Sequence, residues 1–204
     1  VLLDAPRPEE PSDEARRICD IYFTGTPIVF DMWVSQDVDK GTLILGEKEG
    51  PAFSFHALLH EMCHLVEIDD ERICHRGWGL RIPYTFVLGQ TCVEPKTLQA
   101  TEREMRVLAY QMNLTEHLGY KFQDRSITSL EYLYDFWDVG WTHARRYIRR
   151  GYKVREEKTK SWLCKQVYKL RDVYTYKRFE LEWERKVGLL KAHKEYYEQR
   201  SGDD

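Results

Sequence analysis

One stretch, Phe53 to Ile68, limits the fold of this chain more than any other. Its apolar residues recur at helical spacing. With His60 at zero and about 100° per residue, Phe55, Leu58, Leu59, Met62, Leu65 and Val66 cluster between about 140° and 260°. His64 falls at about 40° and His56 at about 320°. Such a helix lays one side on a core and turns its histidines the other way. The chain therefore needs a layer beneath this helix and open space above it.

The histidine side reads His60-Glu61-Met62-Cys63-His64, an H-E-x-x-H pattern. Histidines at i and i+4 stand one turn apart on one face, so both imidazoles reach a single Zn²⁺. Glu61 between them is placed to take a proton from a water that the metal acidifies. Zinc needs a third protein ligand, and three residues compete for that role. Glu102 borders the apolar stripe of Leu98, Met105, Ala109 and Met112 on a second helix and is the first choice. His75, next to the Gly77–Gly79 turn, is the alternative, and Glu67, one turn beyond His64, is the third. The acids Asp69, Asp70 and Glu71 sit where a helix dipole disfavours them. Either the helix stops at Ile68, or one of these acids hydrogen-bonds a ligand imidazole.

Around that helix the pattern is mixed. Ser12 suits the cap of a short helix with Asp13 and Glu14 in its first turn. Ile28-Val29-Phe30 with Met32-Trp33-Val34 reads as one strand, and Gly41 to Gly46 as a second. Thr85 to Leu88 reads as a further strand. A helix is expected from Pro95 to His117, with Gly119 as its stop. Thr128-Ser129-Leu130-Glu131 has the spacing of a capping box, and helical periodicity resumes from Ser161 to about Gln199. The expected class is α+β: a small sheet plus the histidine helix, then an α-helical C-terminal extension. The boundaries expected are an N-terminal tail and helix (1–24), a core (25–125) and a helical, basic extension (126–204).

Charge is divided unevenly. Residues 1–140 carry 13 Lys+Arg against 24 Asp+Glu, and residues 141–180 carry 13 against 4. In the basic arm Arg145, Arg146, Arg149, Arg150, Lys153 and Arg155 are followed by cations interleaved with Trp162, Tyr168, Tyr174 and Tyr176. Cations meet phosphates and aromatics stack on bases, so nucleic acid is one expected partner; packing on an acidic surface is the other reading. No stretch approaches the ~18 apolar residues of a membrane span. The sequence begins Val1-Leu2-Leu3-Asp4-Ala5-Pro6, without the basic and apolar segments of an export signal. The five cysteines form no C-x-x-C pair, so the expectation is reduced thiols in a cytoplasmic protein.

The strand Gly41–Gly46 followed by the helix from Phe55 to His64 resembles the minimal zincin metallopeptidase core. His60 to His64 followed by His75-Arg76-Gly77-Trp78 is similar to the SprT-like proteases, in which a later His beside Gly is the third ligand. The run from Glu102 to Ala109 resembles the second-helix motif of ImmA/IrrE-like and other gluzincin peptidases, in which the first Glu is the ligand. The likeness covers about residues 25–118. It implies hydrolysis of peptide bonds in a protein substrate, with His60 and His64 on zinc and Glu61 as general base and then proton donor. It also implies that Thr42 to Leu45 is the sheet edge on which an extended substrate lies. Tyr84, Tyr110 and His117 are the candidates for stabilising an oxyanion. The alternative function is a non-catalytic module, such as a phage accessory protein, that binds nucleic acid or protein and keeps the metal as a structural element.

Overall fold

A computed structural model describes residues 13–30, 37–39, 41–45, 55–74, 95–122 and 165–201. The helices are α1 (Asp13–Tyr22), α2 (Phe55–Glu67), α3 (Pro95–His117) and α4 (Tyr176–Ser201), with a further helical stretch at 165–170. The strands are β1 (Ile28–Phe30), β2 (Asp37–Asp39) and β3 (Thr42–Leu45), so the class is α+β. No helix among the described residues is long and apolar enough to cross a membrane. The chain separates into two compact units, residues 1–79 with 180–204 and residues 80–179. This division differs from boundaries after residues 24 and 125, because most of α4 belongs with the N-terminal residues.

In the first unit the sheet order is β1-β3-β2. β1 runs parallel to β3, with Ile28 opposite Leu43 and Phe30 opposite Leu45. β2 runs antiparallel to β3, with Asp37 opposite Ile44 and Asp39 opposite Thr42. β3 is therefore the central strand, which overturns the expectation that Thr42 to Leu45 is a free edge. Its backbone groups are taken up on both sides, and among the described residues β1 and β2 are the outer strands of this sheet. β2 is not foreseen from composition, since Asp-Val-Asp is a poor strand sequence. Pairing across a tight connection to β3 makes it one. Along β3, Leu43 and Leu45 are buried while Thr42 and Ile44 are partly exposed, the two-residue alternation of a sheet with one face on a core.

Helix α2 packs against β3 and against α1. Leu58, Leu59, Met62, Leu65 and Val66 are buried as the wheel expects, Phe55 is only half-buried, and Cys63 and His64, outside the apolar arc, are buried too. From α1 come Ala15 and Ile18. α4 adds Trp183, Val187 and Leu190. The Trp183 indole meets Tyr22 edge-on at 5.8 Å and stacks on Phe23 at 5.9 Å. Gly41 turns the chain into β3 with φ +78°, and a Cβ there would lie 2.5 Å from the Lys194 Cα. Only glycine satisfies both the left-handed backbone and that approach of α4.

The second unit is organised on α3, whose observed bounds coincide with those expected. Its end is a Schellman motif: Tyr120 N–H donates to Thr115 O and Gly119 N–H to Glu116 O, both at 3.0 Å, with Gly119 at φ +85°. The helix expected without a break from Ser161 to Gln199 is interrupted at 171–175. Asn113 is the reason on one side, because its Nδ2 donates to Arg171 O and Tyr174 O, each at 2.8 Å. Thr175 is the reason on the other, because its Oγ1 accepts from Arg178 N–H at 3.3 Å as an N-cap. Tyr110 stands edge-on to Tyr174 and Phe179, and the three rings form the aromatic centre of this unit. The expected helix and strand over 85–88, 128–141 and 161–164 lie outside the described residues.

Candidate metal centre

The H-E-x-x-H residues occupy the middle and third turns of α2, a helix of 13 residues. Its buried side fixes the rotation of the helix on β3 and α1, and that rotation aims the other side away from the core. His60 and Glu61 are half-buried, and His64 is buried at 9% exposure. The Nε2 atoms of His60 and His64 are 3.1 Å apart. Their rings stand nearly perpendicular, with centroids 4.7 Å apart and an interplanar angle of 87°. Among the described residues, ligand atoms of His60, Glu61 and His64 lie within 4.8 Å of one another.

Two Zn–N bonds of ~2.05 Å at a tetrahedral angle put their nitrogens ~3.3 Å apart. The observed 3.1 Å differs from that by little, so the imidazoles are spaced as two ligands of one ion would be. Imidazole nitrogen is also the ligand chemistry that zinc prefers. The Oε2 of Glu61 is shielded from solvent. His56, one turn before His60, stacks its ring on Phe55 at 3.9 Å, and burial lowers its pKa from the ordinary histidine value. Cys63, fully buried, behaves as a small apolar residue of the α2 packing.

The other expected site residues are distributed elsewhere. Glu102 is on the backbone of α3, in the second unit, and its side chain lies outside the described residues. His75, Tyr84 and the basic residues Arg145, Arg146, Arg149, Arg150, Lys153 and Arg155 also lie outside them. Glu67 is in the last turn of α2 and does not join the cluster. Tyr110 is a core residue of the second unit, 1% exposed. His117 stacks on Tyr176 at 3.4 Å in the second unit.

The helix α2 ends at Glu67, ahead of the acid run. Ile68 N–H donates to His64 O at 3.0 Å, and a short 3-10 turn, Asp70–Arg72, follows. Asp70 binds cations of α4: Arg185 donates to Oδ2, and Lys186 Nζ donates to Oδ1 at 2.6 Å. These hydrogen bonds, Arg185's being the stronger influence, hold the Asp70 carboxyl down at about 2. Lys186 is 1% exposed, and its Nζ donates in addition to the Ile68 carbonyl. Sequence reasoning missed Lys186. The available signal is that position 186 falls on the stripe of Phe179, Trp183 and Leu190, where a lysine is out of place unless a buried anion or carbonyl meets it.

Cys19, Cys63 and Cys74 are free thiols. Burial, and secondarily the charge of Asp20, pushes Cys19 up to about 11, and burial raises Cys74 as well, so neither is poised as a nucleophile. Comparison of the chain with protein-family models, with curated proteins and with solved structures returns no match.

Proposed function

We propose that this chain is a zinc-dependent peptidase that hydrolyses peptide bonds in a protein substrate. The observation that carries the reading is the 3.1 Å separation of the His60 and His64 Nε2 atoms, with the Glu61 carboxylate in the same cluster. His60 and His64 would hold the metal. The third ligand is Glu102 ahead of His75, a choice resting on the sequence. When bound, zinc supplies Lewis acidity, acidifying a water and polarising a carbonyl.

The remaining chemistry belongs to the protein. Glu61 accepts a proton from the attacking water and returns it to the departing amine, the role that a carboxylate beside the two ligands suits. The packing of α2 on β3 and α1 fixes the backbone that carries both imidazoles.

The test pairs metal content with hydrolysis. The purified protein is expected to hold one zinc per molecule and to cleave an unfolded protein or a peptide library. A strong chelator should stop cleavage, and added zinc should restore it. No zinc bound at micromolar metal would overturn the metal centre. Stoichiometric zinc with no cleavage of any library member would favour the binding-module alternative, in which the metal is structural.

A further inference from the structure

We propose that Lys186 is a positioning residue for the metal ligands, acting through the C-terminal turn of α2. This rests on the reading of His60 and His64 as ligands. The last carbonyls of a helix have no partner within the helix. In α2 the Ile68 carbonyl, just past the helix end, is met by the buried Lys186 ammonium. Ile68 N–H in turn donates to the His64 carbonyl at 3.0 Å. One hydrogen-bond step therefore separates a buried cation from the backbone of a ligand residue.

The chemistry of the contact favours a fixed geometry. A cation at a helix C-terminus complements the helix dipole. A lysine this deeply buried needs acceptors for its donors, so it permits few alternative arrangements. Here the partners are the Ile68 carbonyl and the Asp70 carboxylate, and Asp70 is also held by Arg185. The lysine itself is anchored, because Trp183, Val187 and Leu190 on the same helix are buried around it in sequence. Neither end of the link is free to drift, and His64 lies one helical turn from it.

Metal affinity reads this out. Lys186→Met keeps the length and apolar stem of the side chain and removes the charge and the donors. The full-length variant is expected to remain helical by circular dichroism yet bind Zn²⁺ at least ~10-fold more weakly in a chelator competition, the scale seen when groups that orient ligands are removed. Its Co²⁺ absorption spectrum, which reports ligand geometry, should shift from that of the wild type. Lys186→Arg, which retains a cationic donor, should recover most of the affinity. Should Lys186→Met fail to fold, Asp70→Asn is measured the same way, with a smaller loss in the same direction expected, since Asp70 is half-exposed and tolerates exchange. Unchanged affinity and an unchanged Co²⁺ spectrum in the folded variant would overturn the proposal even if its melting temperature falls. A wild type that binds no metal would instead remove the metal-centre reading, and the proposal with it.

Discussion

The imidazoles of His60 and His64 face each other Nε2 to Nε2 at 3.1 Å, with their planes nearly at right angles. In the metal-free protein that spacing also permits one N–H···N hydrogen bond, with one ring donating. Neither histidine can be replaced without dissolving the pair. His60→Ala and His64→Ala are each expected to lose stoichiometric zinc on dialysis. His64→Ala should also lower the melting temperature more, because His64 is the more buried and its removal leaves a cavity. Retention of one zinc per chain by either variant would count against the pair as ligands.

Glu61 has a different place in the argument, because it is read as a base and not as a ligand. Glu61→Gln keeps shape and removes the proton acceptor. Zinc content and melting temperature should be unchanged, while cleavage of a protein substrate should fall by roughly 10²–10⁴-fold. Turnover close to that of the wild type would exclude Glu61 from the chemistry.

Asp70 predicts a pH dependence. Its folded pKa, about 2, lies below the ordinary 3.8. A carboxyl depressed on folding stabilises the protein above its unfolded pKa, and that contribution is lost as pH falls toward the folded value. Asp70→Asn should therefore melt at a lower temperature than the wild type at neutral pH. The two melting curves should converge between about pH 4 and pH 2. Parallel pH profiles would mean that the cations of α4 give Asp70 no preferential stabilisation.

Two glycines at positive φ offer a graded comparison. Gly119 has open space where a Cβ would go, so Gly119→Ala carries only the left-handed backbone cost, roughly 1–2 kcal/mol. Gly41→Ala adds a collision with the Lys194 backbone, and overpacking of that kind costs about 1–3 kcal/mol more. Urea unfolding followed by circular dichroism should rank Gly41→Ala as the more damaging. The reverse ranking would place α4 farther from the β2–β3 turn.

The parts of this protein legible in its sequence are those governed by local periodicity. α2 and α3 were readable because their apolar residues repeat at 3.6, and the stop at Gly119 because a left-handed cap favours glycine. The histidine pair was readable because i and i+4 share a face whatever the tertiary fold. β2 was not readable, because Asp37-Val38-Asp39 becomes a strand only through the partner it meets. The central position of β3 was hidden for the same reason. The break at 171–175 depends on Asn113, some 58 residues earlier in the chain, and no local window contains both. Lys186 was missed because lysine is read as solvent-facing until a buried acceptor is known.

The link between Ile68 and Lys186 spans 118 residues of sequence, and this sets an order of events during synthesis. A ribosome adding about 5–20 residues per second makes Lys186 roughly 6–24 s after Ile68. Over that interval the histidine helix is already in the growing polypeptide while its C-terminal carbonyl has no cation to meet. A nascent chain arrested before residue 180 would carry the complete H-E-x-x-H pattern without the helix that closes its unit. Ligand geometry would then mature only after Lys186 has been made, so that products cut short before it carry the motif but not its support.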